Sequence, residues 1–587
     1  MMNKIKYIFL LLALPVFVFM SCEDMLEVDS DRLVTVDDNY MKSDSLYSVY
    51  GVLYQLQKIA DSYVILGELR GDLLEASEAY ANKYLKEISN FETYSYDNPY
   101  TSNKSDYYAI INNCNYVISN SDTLAIYKGE KAMQKTMAAI TAIKAWTYMQ
   151  LVNNFGEAHY FDKPLLSIQD GLKDYPLLDA NTLFPKLIAE LLPYQNTERL
   201  NPGEFGGFDD PSLLCFPVRF VLGDLYLWTG QYENAASAYR DLMYYNRYVV
   251  GLQNYLQIAG SGSSMEFTGN YTYHNNFFAG KSGSGYITAI AVSNEYEHFT
   301  DLDSFLFSPS YSYSLNSEGE AVMMNPTSLL PTELALQKFD STLYFHDYKD
   351  SRGTTWLTTK GDMRGYRNSS QGLQYTFYAY TKSSGFDADY PYVFKYYRMN
   401  HGETSVGEDD EADNSQMILP YRTTLLYLRY AEAVNRLGKP NTALAVLKNG
   451  MNRQTLNNRR IIPESEYSTP LPGYMDFTDT RFDSNIGIHA RGAGYTNRDT
   501  TFYKIDLSHI AEPTKQDSIL YVEDLIQKEL VLELAYEGTR FHDLMRMSIH
   551  RGDNAYLADI VSEKYKDAAT RERVRTKLMS QENWYIK

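Results

Sequence analysis

Apolar residues recur at helical spacing along much of the chain. Between residues 45 and 60 they fall at Leu46, Val49, Tyr50, Leu53, Leu56 and Ile59, one stripe of an amphipathic helix. The same periodicity predicts helices over 105–119, 131–155, 180–192, 213–229, 232–244, 425–437, 441–452, 522–536 and 539–547. One stretch has a repeat grammar. Leu222-Gly223, Tyr226, Gly230, Tyr232, Ala235 and Tyr239 follow the tetratricopeptide spacing, in which two helices meet around a tight turn. Ala433, Gly438, Ala443 and Leu447 repeat its second half, and Ala142, Trp146 and Tyr148 suit another pair. Such pairs bury their apolar faces only by stacking, so the expected fold class is mostly α. It is a tetratricopeptide-like array of about four helix pairs with long irregular, loop-rich insertions and a few short strands.

The periodicity fails in two places. Residues 249–417 are rich in Gly, Ser, Asn and Tyr, with short alternating pieces at 375–380 and 392–397 that read as small strands. Residues 457–518 form a second irregular insertion. Structureless stretches of this length are uncommon unless functional, so ligand contacts are expected there.

The N-terminus has its own pattern. Lys4 and Lys6 precede 14 uncharged residues from Tyr7 to Met20, then Ser21-Cys22. That run is shorter than the roughly 20 residues of a membrane span and reads as a signal peptide over 1–21. A small residue before Cys22 suits a lipobox, in which Cys22 is acylated and becomes the new N-terminus; the alternative is a plain secretory signal cut near Ser21. Residues 22–44 are polar and acidic and suit a tether, and 45–587 read as one domain. Apart from Cys22 the cysteines are Cys114 and Cys215, either a disulfide or two buried thiols.

The formal charge is −20, which repels phosphate backbones and argues against nucleic-acid binding. The nine histidines show no metal-ligand spacing. No metal or cofactor is expected, although Glu408-Asp409-Asp410-Glu411-Ala412-Asp413 is either a calcium-chelating loop or a solvated acidic one; it lacks the glycine and spacing of an EF-hand. Asn276-Phe277-Phe278-Ala279-Gly280-Lys281-Ser282 lacks the first glycine of a phosphate-binding loop. Glu529, Glu533 and Glu537 share one helical face. They read as an ion-pair network with Arg540 and Arg546 in preference to a glycosidase pair, whose carboxylates approach the sugar from opposite sides. No enzyme is expected.

Tyrosine is the positive signal: 54 of them against 26 phenylalanines and four tryptophans. Sugar rings stack their apolar faces on flat aromatics, while their hydroxyls seek Asn, Asp and Arg. Tyr94, Tyr96, Asn98 and Tyr100 form one such cluster, Tyr271 with Tyr273 and Tyr311 with Tyr313 form others, and Tyr286 and Trp356 stand singly.

Several segments carry a family resemblance. Cys22-Glu23-Asp24-Met25-Leu26, Gly67-Glu68-Leu69-Arg70-Gly71-Asp72, Tyr108-Ala109-Ile110-Ile111-Asn112-Asn113-Cys114-Asn115 and Tyr427-Leu428-Arg429-Tyr430-Ala431-Glu432-Ala433 are four of them. The most specific stretch holds Glu533-Leu534, Glu537-Gly538-Thr539-Arg540 and Asp543-Leu544. Together they resemble the SusD/RagB family of outer-membrane nutrient-binding lipoproteins over essentially the whole chain. The resemblance implies a surface lipoprotein anchored in the outer membrane through Cys22. It would capture glycans and deliver them to a SusC-like TonB-dependent transporter as its partner. A peptide-binding member of the same family is the alternative. The resemblance also places the segment after Asp72, with Tyr94 to Tyr100, at a sugar-contact loop, and Asp72 joins the expected ligand residues on that ground.

Overall fold

The computed structural model describes residues 45–587 except 128, 204–209, 252–255, 260–265, 270–284, 293–299, 307–312, 316–320, 324–326, 342–345, 350–354, 359–361, 363, 365–379, 383–390, 394, 396–415 and 494–502. The chain divides into two units, Met1–Ser45 and Leu46–Lys587, and the fold is that of the second.

Its main helices, in chain order, are α1 (Ser45–Gln57), α2 (Ala60–Glu68), α3 (Lys104–Asn120), α4 (Gln134–Phe155), α5 (Ala180–Leu191), α6 (Val218–Trp228) and α7 (Tyr232–Asn246). The second half adds α8 (Thr423–Arg436), α9 (Pro440–Lys448), α10 (Lys515–Leu534), α11 (Arg540–Arg551), α12 (Asn554–Ser562) and α13 (Ala568–Leu578). Helix α3 packs on α4, α6 on α7 and α8 on α9; α5 joins α4 to α6, α7 lies on α8, and α8 and α9 lie on α10. The fold is therefore mostly α, a stack of tetratricopeptide-like pairs.

The repeat residues explain the stack. Gly230 (φ +71°) and Gly438 (φ +77°) sit in the left-handed region, where a side chain is disfavoured. The two turns close alike: Gln231 N donates to the Tyr226 carbonyl at 2.8 Å, and Lys439 N to the Val434 carbonyl at 3.1 Å. At Gly223 an added Cβ would lie 2.3 Å from the Tyr239 ring, so α6 and α7 approach only because that position is bare. Trp146 of α4 fills the next layer, 5.5 Å from Tyr63 and 4.7 Å from Phe216 between ring centroids. Cys114 and Cys215 are both buried free thiols, and burial pushes each up to about 12.

The long irregular stretch contains order that its composition hides. Among the described residues every sheet is a two-stranded antiparallel ladder. Four strands matter below: β1 (Leu74–Ala76), β2 (Tyr286–Val292), β3 (Leu329–Pro331) and β4 (Gln416–Arg422). Strand β2 is buried along all seven residues and pairs with β4, so the middle region crosses the core before returning to α8. Strand β3 pairs with β1, tying the middle region to the segment after α2. Of the small strands expected at 375–380 and 392–397, residues 375–379, 394 and 396–397 lie outside the described residues; next to them Tyr380–Lys382 pairs with Pro391–Val393. A smaller second core gathers Phe541, Leu544 and Met545 of α11 against Leu557, Val561, Val574, Leu578 and Trp584.

Candidate ligand-binding surface and the network beneath it

Two of the resembling stretches, Gly67–Asp72 and the one that holds Glu537-Gly538-Thr539-Arg540, meet in space. Glu68, at the end of α2, is fully buried, and its carboxylate accepts from the backbone N–H of Tyr536 (3.0 Å), Gly538 (2.8 Å), Thr539 (3.1 Å) and Arg540 (3.2 Å). It thus caps the start of α11, where the helix leaves its first donors unpaired. Burial raises the Glu68 carboxyl to about 7, and the backbone donors of Arg540, Tyr536 and Gly538, with the Arg540 charge, act against that. Two residues on, Arg70 donates to the carbonyls of Leu66 (2.8 Å) and Trp584 (2.9 Å) and lies 4.4 Å from the Phe541 ring centroid. Asp72 then receives Arg540 in two bonds of 2.5 and 3.0 Å. Asp72 is wholly buried and engaged by Arg540 and, at 3.7 Å, Lys338. The expectation that it touches ligand is corrected: its carboxylate is an interior clamp with no open face.

The three glutamates of α10 and its end form a network, with other partners than expected. Glu529 meets Arg364 at 3.0 Å and His489 at 2.6 Å. Glu533 meets Arg364, Arg422 and Arg491 at 3.1, 3.3 and 3.1 Å. Glu537 receives Lys395 at 2.5 Å and Arg422 at 2.6 Å. Arg540 and Arg546 turn elsewhere: Arg540 to Asp72, Arg546 to Glu432 (2.7 Å) and Asp543 (2.9 Å). Burial alone would raise Glu529, but His489 and Arg364 more than offset it and hold it at about 2; Glu533 is pushed lower still by three guanidinium groups. Carboxyls held this low have no proton to give near neutrality, so this face does not suit a general acid.

The tyrosine segment does reach the surface. A short helix, Lys83–Ser89, begins at Asn82, whose side chain accepts from Leu85 N at 3.0 Å. Its Glu87, itself buried, accepts from Ser95 N and Asn98 Nδ2, both at 2.9 Å, and from the Ser95 hydroxyl. Burial would raise Glu87, and these donors reverse that and hold it below the usual range. The loop is therefore fixed from below. Tyr96 at its crest is 94% exposed and Tyr80, before the helix, 48%. Beside Tyr96, Asp97 accepts from Tyr84 Oη at 2.7 Å and pairs with Lys83 at 3.5 Å.

The other expected contacts divide by burial. Tyr94 is half-buried against the core. Asn98 and Tyr286 are interior, and both expectations are corrected: Asn98 bonds Glu87 and the Tyr84 carbonyl, and Tyr286 starts the buried strand β2. Tyr313 and Trp356 belong to separate ladders, opposite Met323 and Tyr348. Tyr271, Tyr273, Tyr311, the acidic run from Glu408 to Asp413 and Cys22 lie outside the described residues. Described parts of the middle region join segments that precede the tyrosine loop in the chain: Ser77 N donates to the Ser328 carbonyl at 2.9 Å, and Asp301 N to Asp61 at 2.9 Å. Sequence reasoning passed over Tyr80 and Tyr84; the signal was their place beside the Tyr94–Tyr96 cluster. Among the described residues no group of three His, Cys, Asp or Glu is gathered for a metal ion.

Comparisons with known proteins agree with this architecture. The model of the SusD family matches residues 336–585. A curated SusD-like protein of Formosa agariphila is 26% identical over 210 residues, spanning 32% of this chain and 36% of its own length, so the match covers about a third of that relative. A solved SusD superfamily protein from Bacteroides thetaiotaomicron superposes with a TM-score of 0.54 at 16% identity, covering 89% of this chain and 93% of its own. The B. fragilis protein NanU gives 0.51 at 16%, covering 89% and 91%. The family match takes in α8–α13 but under half of the chain, and the shared fold runs along most of its length; in both respects the chain is similar to the SusD family.

Proposed function

We propose that the chain is a cell-surface nutrient-binding protein that captures oligosaccharides by aromatic stacking and passes them to a SusC-like TonB-dependent transporter, without catalysis of its own. The observation that carries this reading is Tyr96, an almost fully exposed ring on a loop fixed from beneath by Glu87. A loose loop would lose its entropy on binding, whereas a fixed ring presents its face at little cost. Asp97 and Lys83 beside it offer an acceptor and donors to sugar hydroxyls. Anchoring through an acylated Cys22 completes the reading, and no helix among the described residues is long and apolar enough to cross a membrane.

The test is calorimetry and native gel retardation of the chain against a panel of plant, microbial and host polysaccharides, with a peptide mixture in parallel. One polysaccharide class retards the protein, and Tyr96→Ala weakens that binding about tenfold, the order expected for one stacked ring. Heat from peptides with none from any polysaccharide refutes the saccharide reading in favour of a peptide ligand. Labelled fatty acid enters the wild type but not Cys22→Ala; equal labelling removes the proposed anchor.

A further inference from the structure

A concavity that includes no residue of the tyrosine loop lies between α4, the segment before α6, and the end of α7. It encloses about 620 Å³, within the range of small-ligand sites. Two arginines line it. Arg219 donates to Asn196 Oδ1 at 2.6 Å, and Arg199 donates to Tyr248 Oη at 3.0 Å. The Arg199 Nε is buried and has no hydrogen-bond acceptor.

Among the described residues neither arginine is in an ion pair. In a chain of formal charge −20, two guanidinium groups lining one hollow, neither of them paired with a carboxylate, are conspicuous. Glu198 also lines the hollow, but it and the nearby Asp241 have other cationic partners. Glu198 pairs with Lys135 at 2.7 Å, and Asp241 lies 3.3 Å from Arg240. Partial burial pulls Arg219 below its ordinary pKa, with Asp241 acting against it. Helix α6 also opens here: Pro217, Val218 and Arg219 line the hollow, and no side chain caps its first N–H groups.

The remaining walls suit a sugar better than a peptide. Tyr245 is 62% exposed, with the Arg219 guanidinium 4.6 Å from its ring centroid. Gln195 and Asn246 add side-chain amides able to bond hydroxyls. The hollow has the size of one or two sugar rings, and none of its described lining residues belongs to a strand along which an extended peptide would pair.

We propose that this hollow is a second saccharide site, selective for sugars bearing a carboxylate or a sulfate, in which Arg199, Arg219 and the start of α6 hold the oxyanion and Tyr245 supports the ring. Planar guanidinium forks fit either oxyanion in two parallel bonds. The inference rests on the saccharide reading given above, and the experiment separates the two.

The full-length chain is titrated calorimetrically with a galacturonate disaccharide, a sulfated galactose disaccharide, the neutral galactose disaccharide and a glutamate hexapeptide. One of the two anionic sugars binds at least about tenfold tighter than the neutral one, more weakly at higher salt, and which of them binds identifies the oxyanion. Arg219→Gln, at a half-exposed position that folding tolerates, lowers that affinity about tenfold, as does Tyr245→Ala; Tyr96→Ala leaves it unchanged. Equal binding of neutral and anionic sugars overturns the proposal, as does anionic binding indifferent to Arg219→Gln and Arg199→Gln. Arginine-dependent binding of the hexapeptide alone overturns it in favour of a peptide groove. Neutral polysaccharide bound through Tyr96 without arginine-dependent acidic binding sinks only this inference; absence of any saccharide binding sinks the nutrient reading as well.

Discussion

Gly67 is the most demanding position in the interlock between α2 and α11, and its replacement by alanine tests that interlock. The added Cβ would lie 1.9 Å from the Gly538 carbonyl oxygen and 2.4 Å from its carbon. These are backbone atoms, so no side chain can swing aside. Relief requires the turn through Gly538 to retreat by about 1 Å or more to reach ordinary contact. That turn is held by Glu68 through four N–H bonds of 2.8 to 3.2 Å, which a retreat of that size stretches past bonding range. Losing one or two bonds to a buried carboxylate, on top of the overpacking itself, costs about 3–5 kcal/mol. Spread over the unfolding entropy of a chain this long, that lowers the Tm by about 3–5 °C. Differential scanning calorimetry of Gly67→Ala beside Gly171→Ala supplies the measurement, since an added Cβ at Gly171 meets nothing within 4 Å. A Gly67→Ala midpoint within about 1 °C of the Gly171→Ala midpoint refutes the reasoning, because it means that the α2–α11 contact has slack.

Glu533→Gln leaves three guanidinium groups around a neutral amide and destabilises the fold by about 3–5 kcal/mol, read as a lower urea midpoint; a midpoint equal to wild type contradicts a buried network. Lys564 is buried, donates to the Leu69 and Leu74 carbonyls at 2.8 and 3.3 Å, and is pushed by burial down to about 7, with Glu75 and Asp72 acting against that. The unfolded chain holds that proton up to about 10.5, so the penalty of burying the charge is complete below pH 7 and fades as the pH rises from about 7 toward 10.5. Lys564→Met therefore gains more stability at pH 6 than at pH 9, by on the order of 2 kcal/mol in urea titrations, and an equal gain at both contradicts the assignment. Cys114 and Cys215 both resist alkylation at pH 8 in the native protein and both react after unfolding without reductant; protection that persists in urea would show a disulfide.

The helical half of the fold was legible because its helices are amphipathic and its turns repeat. The periodicity placed α3, α4, α6 and α7 within a few residues, and the Gly223, Gly230, Tyr239 pattern named the contacts that join α6 to α7. Strand β2 was hidden by the same logic: buried along its whole length, it shows no alternation and sits among glycines and serines. Helix α13 was missed because it buries only Val574 and Leu578, too little for a stripe. The charged face of α10 reads as a network from sequence, but local spacing suggests only nearby partners. Its real ones, Arg364, Arg422 and Arg491, lie far along the chain and meet it through folding alone. Tyrosine abundance was an ambiguous guide to ligand contacts. Tyr148, Tyr239, Tyr421, Tyr427 and Tyr430 are interior rings with bonded hydroxyls, and composition does not separate them from Tyr96.

The clamp around Arg70 also dictates an order of events during synthesis. A ribosome delivers α2 early, yet the groups that complete it are 468 to 514 residues downstream: the N–H donors for Glu68, the arginine for Asp72 and the Trp584 carbonyl for Arg70. Until those residues emerge, the nascent chain holds Glu68 without its four donors, and Arg70 and Asp72 with only part of their partners, the Leu66 carbonyl and Asn154 for one and Lys338 for the other. They keep the early helices hydrated and open. Commitment to the final fold thus waits for nearly the whole polypeptide. A product ending before Tyr536 lacks all four donors to Glu68 and the arginine that engages Asp72, so its early helices are left with buried charge to satisfy and apolar surface exposed.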